Sequence, residues 1–582
     1  MHLPYHPRMS SSLRRCILLP LLLGALLLQG CTLSRAQVRR ADALVAATID
    51  RGSTCARPDH CAVASPLRDA AVQALAESTA QQPVHVVTLL DDSEPALAAR
   101  INLIRAAQQS IDVQTFIWAQ DDTGQLVLDE LVQAARRGVH VRILADQLFS
   151  LDDMDLLDRL SRVSANLQVR LYNPTFHKAH TQPLEFAAGV LCCFMHFNQR
   201  MHNKLLLVDD SIGITGGRNY QDRYFNWDDD FDYVDRDVMV GGPAARQMAA
   251  SFELFWRHKR AVPLTHLRDV NRRILSDAAT PAWQAPHYRR PLRVARVQQV
   301  AEDPAWLRAW LVDPTLRTGK VDYFSDMPAK TDKPDKQRAL EFTHHIMRMV
   351  GAARHEVLLQ TPYLVMSKRA QHIFRQLHDR ADPPRVIVST NSLASTDAFA
   401  VYAMSYKHRK RYLTKFGFEI HELKPHAPGP AVDNQLANLG IDNPAMPSAT
   451  ASPASASETR LHLLGSRGSN SRPAPLLSEG RRFGMHAKSI VIDDAFAMVG
   501  SHNFDPRSDH YNTEAGVIVY DHAFADQLRH SILRNTQPEN AWVIAPRRAV
   551  IPVLSDINQV IGSVSESLPL FDLWPFRYAT SF

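Results

Sequence analysis

The sequence predicts an α/β protein built from two similar units, each a sheet flanked by helices. Three observations support this prediction: a chemical motif occurs twice, the segments around both copies follow the same order, and the 582 residues exceed one typical core. The composition, with 45% hydrophobic and 22% charged residues, is that of an ordinary globular protein. A net charge of +6 permits an anionic partner but does not choose between nucleic acid and membrane.

The N-terminus has the pattern of a signal peptide. Arg14-Arg15 precedes an apolar run from Ile17 to Leu28, which is shorter than the ~20 residues of a membrane-spanning helix. The following Gln-Gly-Cys completes a resemblance to the bacterial lipobox, which implies loss of residues 1–30 and lipidation of Cys31. The alternative is a plain signal peptide with an incidental cysteine. Since Thr32 is not the aspartate that usually retains lipoproteins at the inner membrane, we expect a periplasm-facing protein, anchored in the outer membrane of a Gram-negative bacterium.

Residues 31–85 are expected to be a lipoprotein tether and a short helical lead-in. Within them, Cys55 and Cys61 bracket a short polar loop, and we predict that they form a disulfide in an oxidising compartment. The cysteine spacings do not match a structural zinc site, and neither a metal nor another cofactor is predicted.

The two halves repeat the same succession of elements. In each, the end of a helix runs into a buried strand, at residues 106–115 and again at 352–361. Next come a helix, a second strand and a third strand, predicted at Gly124–Arg137, Val139–Ala145 and up to Tyr172, and again at Lys368–Asp379, Arg385–Thr390 and up to Leu423. The predicted units are residues 86–315 and 316–582. Residues 426–480 form a low-complexity insertion in the second, expected to be exposed and disordered.

The repeated motif is a histidine–lysine–aspartate cassette. His202-Asn203-Lys204 precedes Asp209, and His486-Ala487-Lys488 precedes Asp493 at the same offset. Side chains two residues apart on a strand project from the same face, so each histidine lies beside its lysine. Each cassette then runs through an apolar strand (Leu205–Val208; Ser489–Ile492) to a glycine turn that ends in Asn219 or Asn503. The pattern predicts two half-sites that meet in one active site for phosphodiester chemistry.

The residue types suggest a division of labour. One histidine attacks phosphorus as a neutral imidazole, and the other gives a proton to the leaving alcohol and later activates the acceptor. The lysines stabilise the charge of the transition state in place of a metal. The phosphate is expected to be bound by the two turns, at Gly217, Asn219, Ser501 and Asn503.

The carboxylates are expected to support the histidines. Asp235 and Glu514 occupy aligned positions and are predicted to fix the histidine tautomers, with Asp237 as a rival in the first half. Asp209 and Asp493 lie at the far ends of their strands and are expected to orient loops or pair with basic groups. The predicted catalytic set is His202, Lys204, Asp209, Asp235, His486, Lys488, Asp493 and Glu514.

These motifs resemble the signature of the phospholipase D superfamily, two copies of H-x-K-x4-D followed by a G-G/S-x-N turn. The resemblance covers roughly residues 86–582. Flanking motifs at Arg200–Lys204, Asn391–Asp397 and Asn512–Glu514 are similar to those of bacterial cardiolipin synthases of the periplasm-facing, lipoprotein-like subgroup. The resemblance implies two phospholipase D-type α/β sandwich domains with one active site at their interface.

The resemblance also implies a phosphatidyltransferase. His202 would take the phosphatidyl group of phosphatidylglycerol, His486 would act as acid and base, and a second phospholipid would attack the phosphohistidine to give cardiolipin. The sequence alone does not distinguish the two histidines, name the acceptor lipid or show whether an accessory protein is needed. The expected partners are phospholipids and, through the lipid anchor, a membrane surface.

Other functions remain open. The first rival is hydrolysis of phospholipids by the same site, because only access of water separates hydrolysis from transfer. A nuclease ranks lower, since both cassettes and an anchor lie in one chain, and no nucleic acid partner is expected. A non-catalytic envelope scaffold is disfavoured because it has no need for intact histidine and lysine in both cassettes.

Overall fold

The computed structural model describes residues 33–192, 194–276, 282–328, 330, 341–428 and 481–545. The predicted signal peptide, the lipidation site Cys31 and the predicted insertion from residue 429 onward lie outside the described residues.

The first half folds around a nine-stranded mixed sheet. Its chain contributes β1 (His85–Leu90), β2 (Ser110–Trp118), β3 (His140–Ser150), β4 (Leu167–Tyr172), β5 (Leu205–Val208), β6 (Ile212–Gly216), β7 (Phe231–Val234), β8 (Asp237–Gly241), β9 (Ala261–Pro263) and β10 (Leu316–Thr318). The strand order is β10-β1-β8-β6-β5-β2-β3-β4-β9, without β7. Strands β2, β3 and β4 run parallel, and the remaining pairs are antiparallel.

The helices of the first half lie before and between these strands. They are α1 (Arg35–Thr48), α2 (Pro66–Glu77), α3 (Ser93–Ala106), α4 (Asp122–Arg137), α5 (Met154–Arg162), α6 (Pro183–Cys192), α7 (Phe194–Phe197), α8 (Ala244–Arg257), α9 (Arg268–Ile274), α10 (Pro291–Val300) and α11 (Pro304–Leu307). Helix α4 illustrates how the sequence sets the ends. Asp121 caps its first turn, and Gly138 ends it with a φ of 112°, a left-handed conformation that favours glycine.

The second half repeats this architecture with an eight-stranded sheet. Its strands are β11 (Val321–Ser325), β12 (Glu356–Gln360), β13 (Arg385–Asn391), β14 (Phe418–Leu423), β15 (Arg482–Met485), β16 (Ser489–Ile492), β17 (Phe496–Gly500), β18 (Ala515–Val519) and β19 (Ala541–Ile544). Its helices are α12 (Glu341–Ala352), α13 (Lys368–His378), α14 (Phe399–Lys415), α15 (Pro506–His510) and α16 (His522–Arg534). The strand order is β11-β18-β17-β16-β12-β13-β14-β19.

The two sheets have the same order of equivalent strands. Apart from the extra edge strand β10, β1-β8-β6-β5-β2-β3-β4-β9 corresponds position by position to the eight strands of the second sheet. The predicted duplicated α/β fold is therefore present. Both cassette strands, β5 and β16, have the predicted bounds and are buried along their whole length.

The halves share a core and a small sheet of their own. Strand β7 of the first half pairs in parallel with β15 of the second, and an isolated bridge joins Met201 to Thr513. One face of each large sheet contributes to a common apolar cluster, which includes Leu205, Val240, Val499 and Val517. The site between the halves is thus built on backbone pairing and a shared core rather than on loose contact.

The segment before β1 is more ordered than the sequence predicts. Helices α1 and α2 occupy much of the expected tether and bury Ala41, Leu67 and Ala71 in the core of the first half. Cys55 and Cys61 form the predicted disulfide, with a Cα–Cα distance of 5.9 Å. The order of α1 was not foreseen because Ala41 is its one fully buried residue, which leaves little apolar pattern to read. Among the described residues, no helix combines the length and apolar character needed to cross a membrane.

Arg236 joins the halves by a buried polar contact. It follows β7 in the first half, and its guanidinium donates to Gln360 Oε1 at 2.6 Å, to Ser489 Oγ at 3.1 Å and to Ser531 Oγ at 2.5 Å, all in the second half. The same guanidinium forms an ion pair with Asp91. The side chain of Arg236 is 2% exposed and that of Asp91 is 17% exposed, so removal of Arg236 leaves a mostly buried carboxylate without this cation.

We expect Arg236→Met to lower the free energy of unfolding by about 3–5 kcal/mol, because an unpaired buried charge remains. Calorimetry on the purified protein measures this as a fall of several degrees in the thermal midpoint. The matched control is Arg257→Met, whose side chain is 79% exposed. Equal midpoints for the two variants would contradict the assigned role of Arg236.

Candidate active site

The two cassette histidines bind carboxylates of the opposite half. His202 Nδ1 lies 2.8 Å from Glu514 Oε2, and His486 Nδ1 lies 2.6 Å from Asp235 Oδ2. All four side chains are buried. A carboxylate at Nδ1 makes that nitrogen the protonated one, so Nε2 of each ring keeps its lone pair. The structure therefore brings the predicted carboxylates to the histidines, and it does so crosswise.

Backbone pairing produces this exchange. Met201, the residue before the first histidine, pairs with Thr513, the residue before Glu514. Met485, the residue before the second histidine, pairs with Val234, the residue before Asp235. Each histidine thus emerges beside the carboxylate of the other half, and neither half alone supplies a complete pair.

Both cassette lysines are buried beside their histidines. Lys204 Nζ donates to the backbone oxygen of His202 at 2.7 Å, and Lys488 Nζ makes the equivalent contact with His486. Burial lowers the pKa of Lys204 to about 7 and that of Lys488 to about 8, although nearby carboxylates oppose the shift. An anion bound beside either lysine would favour its charged form and offset the cost of its burial.

The carboxylates carry charge and the imidazoles do not. Burial lowers the pKa of His202 to about 4, while the charge of Glu514 acts in the opposite direction. Burial and the charge of Lys488 also lower the pKa of His486. Burial opposes ionisation of Glu514, yet its hydrogen bond with His202 and the nearby positive charges lower its pKa to about 2. The pKa of Asp235 falls well below its usual value for the same reasons, a hydrogen bond with His486 and the charge of Lys488. At neutral pH both imidazoles are therefore free bases.

The cassette aspartates lie elsewhere. Asp209 accepts backbone N–H groups from residues 108–110 at 2.7 to 3.2 Å and an ion pair from Arg68 at 2.9 Å. Asp493 accepts the backbone N–H groups of residues 354–356 at 2.7 to 2.9 Å. Both tie the far end of a cassette strand to the turn before β2 or β12, as loop-orienting residues would. Their inclusion in the predicted catalytic set is corrected accordingly.

The second residues of the turns, Gly217 and Ser501, support the carboxylates rather than offering free N–H groups. The backbone N–H of Gly217 donates to Arg236 O at 2.9 Å, and that of Ser501 donates to Ala515 O at 2.8 Å. The prediction that these N–H groups bind phosphate is therefore corrected. Ser501 Oγ donates to Glu514 Oε2 at 2.5 Å, whereas a Cβ on Gly217 would lie 1.9 Å from Asp235 Oδ1.

The turn asparagines are both buried. Asn219 Oδ1 accepts the backbone N–H of Ile117 at 3.0 Å, which leaves the amide nitrogen as its donor. Asn503 is held through its backbone, by Ser508 Oγ and Thr361 Oγ1, and its Oδ1 has no hydrogen-bond partner among the described residues. Their contact with a phosphate stays a prediction. The rival carboxylate Asp237 instead pairs with Arg100 at 2.8 Å.

Two supporting residues were not predicted as site residues. Asp146 Oδ2 accepts the backbone N–H of Met201 at 2.9 Å, and Asn391 does the same for Met485 at 2.7 Å while donating to its oxygen at 2.8 Å. Both hold equivalent positions, since Asp146 is the last residue of β3 that pairs with β4 and Asn391 is the last residue of β13 that pairs with β14. Their matching positions in aligned strands were the available signal.

Aromatic rings next to the histidines were also missed. Phe116 packs edge-on against His202 with ring centroids 4.9 Å apart. His486 instead contacts two tyrosines, Tyr233 at 4.8 Å and Tyr224 at 5.1 Å. The two half-sites are thus similar in their polar groups and differ in the aromatic residues that pack against the histidines.

The site can be compared with known proteins. A family model described as cardiolipin synthase, PLD-like domain, matches residues 100–256 and 346–535, and each segment contains one cassette. Cardiolipin synthase C of Escherichia coli is 30% identical over 459 residues, which cover 78% of this chain and 85% of the relative. An uncharacterized protein of Helicobacter pylori is 29% identical over 489 residues, which cover 82% of this chain and 84% of the relative. Phosphatidylserine synthase of Haemophilus influenzae, a crystal structure, matches with a TM-score of 0.47 and 14% identity over 86% of this chain and 98% of its own.

We expect Gly217→Ala to destabilise the protein and displace Asp235 from His486, because the new Cβ overlaps the carboxylate. A crystal structure of the variant measures the distance from His486 Nδ1 to Asp235, and calorimetry measures the thermal midpoint. The control is Gly319→Ala, where the nearest atom lies 3.8 Å from the added Cβ. An unchanged distance in Gly217→Ala would show that this turn does not position the carboxylate.

Proposed function

The chain belongs to the cardiolipin synthase family with a phospholipase D-like domain, and from this premise we propose that it transfers a phosphatidyl group from phosphatidylglycerol to a second phospholipid, forming cardiolipin. The observation that carries the proposal is the crossed pairing of two buried, neutral histidines with carboxylates of the opposite half. Such a pair supplies one nucleophile and one acid–base group at the same phosphorus.

In the first step, Nε2 of His202 attacks phosphorus. His486 takes up a proton from water at Nε2 as the anionic phosphodiester binds. A nitrogen–phosphorus bond then forms, the bond from phosphorus to the glycerol headgroup breaks, and the departing oxygen takes that proton from Nε2 of His486. Glu514 holds the His202 ring through Nδ1 and stabilises the positive charge that develops on it. The His202 assignment follows the family pattern that the sequence resembles.

In the second step, His486 works as a base. Its neutral imidazole takes the proton of the acceptor hydroxyl, the acceptor oxygen bonds to phosphorus, and the bond to His202 breaks. The proton that His486 lost in the first step is restored in the second, so the cycle closes without an outside reagent. Water in place of the lipid acceptor gives phosphatidic acid by the same chemistry.

The lysines provide the stabilising charge. Lys204 and Lys488 come from different halves. The charge of Lys488 lowers the pKa of Lys204, and both lysines lower the pKa of His202, so the two charges act on the same region of the site. A phosphodiester placed between them restores the favourable interaction that burial removes, so both lysines hold their protons in the complex.

We also propose that the protein reaches its substrates from the cell envelope. The supporting observations are the signal-peptide pattern and the lipobox-like residues that end at Cys31. Lipidation at Cys31, with the catalytic halves facing the periplasm from the outer membrane, would place the site beside phospholipids.

We expect cardiolipin to rise in cells that overproduce the wild-type protein and not in cells with His202→Ala or His486→Ala. Loss of either histidine removes an essential group and lowers turnover ~10³-fold or more. Mass spectrometry of total lipids is the measurement. The matched control is His530→Ala, an exposed histidine on α16 that lies outside the site.

The same lipid profiles test the alternatives. Phosphatidic acid in place of cardiolipin would make the protein a hydrolase, and an unchanged profile for every strain would reject the transferase. The purified variants also separate the two histidines. With the p-nitrophenyl ester of phosphatidic acid, whose leaving group needs no proton, His486→Ala should accumulate a phosphatidyl adduct on His202, because breakdown needs the missing base. An adduct on His486 in the His202→Ala variant would reverse the roles.

We expect kcat/KM to fall as the pH rises through about 7 to 8, because Lys204 and Lys488 lose their protons in the free enzyme. The fall of kcat should come at a higher pH than the fall of kcat/KM, because the bound phosphodiester favours the charged form of both lysines. The effect of the two lysines on folding stability has the opposite pH dependence. Their pKa values in the folded protein lie below the unfolded value of 10.5, so between these values the unfolded chain binds more protons. The free energy of unfolding therefore rises with pH in this window. A kcat/KM that stays level up to pH 9, measured in a steady-state pH series, would contradict the assignment.

A further inference from the structure

The surroundings of His486 carry a feature that those of His202 lack. Tyr233 packs against the His486 ring at 4.8 Å, and Tyr233 comes from β7, the strand that pairs with the one leading to His486. The aromatic residue that packs against His202 is Phe116, which has no hydroxyl. The two histidines therefore differ in whether their aromatic neighbour reaches a further polar group.

That further group is the buried carboxylate of Asp397. It accepts a hydrogen bond from Tyr233 Oη at 2.8 Å and another from Tyr363 Oη at 2.9 Å. Among the described residues, Asp397 forms no ion pair with lysine or arginine. A buried carboxylate without such a partner is costly unless hydrogen bonds satisfy it, so the two hydroxyls hold it in one place.

Several charges face His486 from the elements around it. Burial and Lys488 lower its pKa, whereas Asp235, bonded to Nδ1, and Asp397, in the loop after β13, act in the opposite direction. The charge of Asp397 also raises the pKa of Lys488. His202 faces Glu514 as its carboxylate, together with Lys204 and Lys488.

We propose that Asp397, acting through Tyr233, is a positioning residue that keeps His486 as the proton donor and acceptor of the reaction. The inference rests on the proposed function and names the group that makes the two histidines unequal. The ring of Tyr233 packs on the ring of His486 while its hydroxyl donates to Asp397, so the imidazole is held by Asp235 on one edge and by Tyr233 on its side.

The chemistry assigns a definite step to this arrangement. When the phosphorus–oxygen bond of the headgroup breaks, the oxygen receives the Nε2 proton of His486, and the imidazole becomes neutral. Two carboxylates near the ring favour its protonated form before that transfer. A leaving group that departs as a stable anion does not need the proton, and its departure is independent of Asp397.

The experiment compares two leaving groups. Phosphatidylglycerol releases an alcohol that needs protonation, whereas the p-nitrophenyl ester of phosphatidic acid releases p-nitrophenolate unaided. The first-turnover burst of each is measured for the wild type, Asp397→Asn and Tyr233→Phe across pH. For both variants we expect the burst rate to fall roughly 10-fold or more with phosphatidylglycerol and to change by less than about twofold with the ester. We also expect the fall of the phosphatidylglycerol rate at alkaline pH to begin at a lower pH than in the wild type.

The matched control is Glu422→Gln. Glu422 is also a buried carboxylate that accepts from a tyrosine, Tyr402 Oη at 3.2 Å, and it lies near the end of β14 rather than beside His486. Unlike Asp397, it also pairs with an arginine, Arg409. We expect it to leave the ratio of the two rates and the pH limb unchanged. Tyr233→Phe keeps the test valid if Asp397→Asn does not fold.

The outcomes are distinguishable. Equal losses with both substrates, or an unmoved pH limb, would overturn the role of Asp397 while the transferase stands. A wild-type protein that releases neither glycerol nor p-nitrophenolate would overturn the proposed function, and the inference with it.

Discussion

The structure depends on one interaction, the exchange of carboxylates between two histidines that belong to different halves. Glu514 fixes His202 and Asp235 fixes His486, and the exchange is set by the strands that carry them. Burying two ionised carboxylates is costly, and the hydrogen bond from each imidazole and the nearby lysines offset that cost. The site therefore exists only in the paired molecule, which explains why a shared core and a separate two-stranded sheet join the halves.

The charges of the site nearly balance before a substrate binds. Two carboxylates oppose two lysines, and both imidazoles are neutral. Adding the negative charge of a phosphodiester tips this balance, so substrate binding draws protons onto the lysines and onto one imidazole. A buried cluster that is uncharged overall when empty and protonated when occupied converts substrate binding into the protonation state that the chemistry requires.

Local features of the site were predictable because they lie close together in sequence. The spacing of His202 and Lys204 on one strand face, and the apolar strand after them, follow from strand periodicity. The repeated order of elements predicted the duplicated fold. The crosswise pairing was not readable, since alignment places Asp235 and Glu514 at the same position in each half and says nothing of which histidine each one meets. The hydrogen bond from the Gly217 N–H to the backbone oxygen of Arg236 likewise depends on tertiary structure and could not be predicted from the sequence.

Duplication supplies two equal half-sites, but a reaction with a nucleophile and an acid needs unequal ones. The differences lie around the cassettes rather than in them. In the first half Gly217 lies against Asp235, where no side chain fits. In the second half Ser501 donates a hydrogen bond to Glu514. A phenylalanine packs on His202, whereas a tyrosine on His486 leads to a second carboxylate. Because the cassettes must keep the same groups to hold one phosphate, the residues behind them are where the two histidines acquire different protonation.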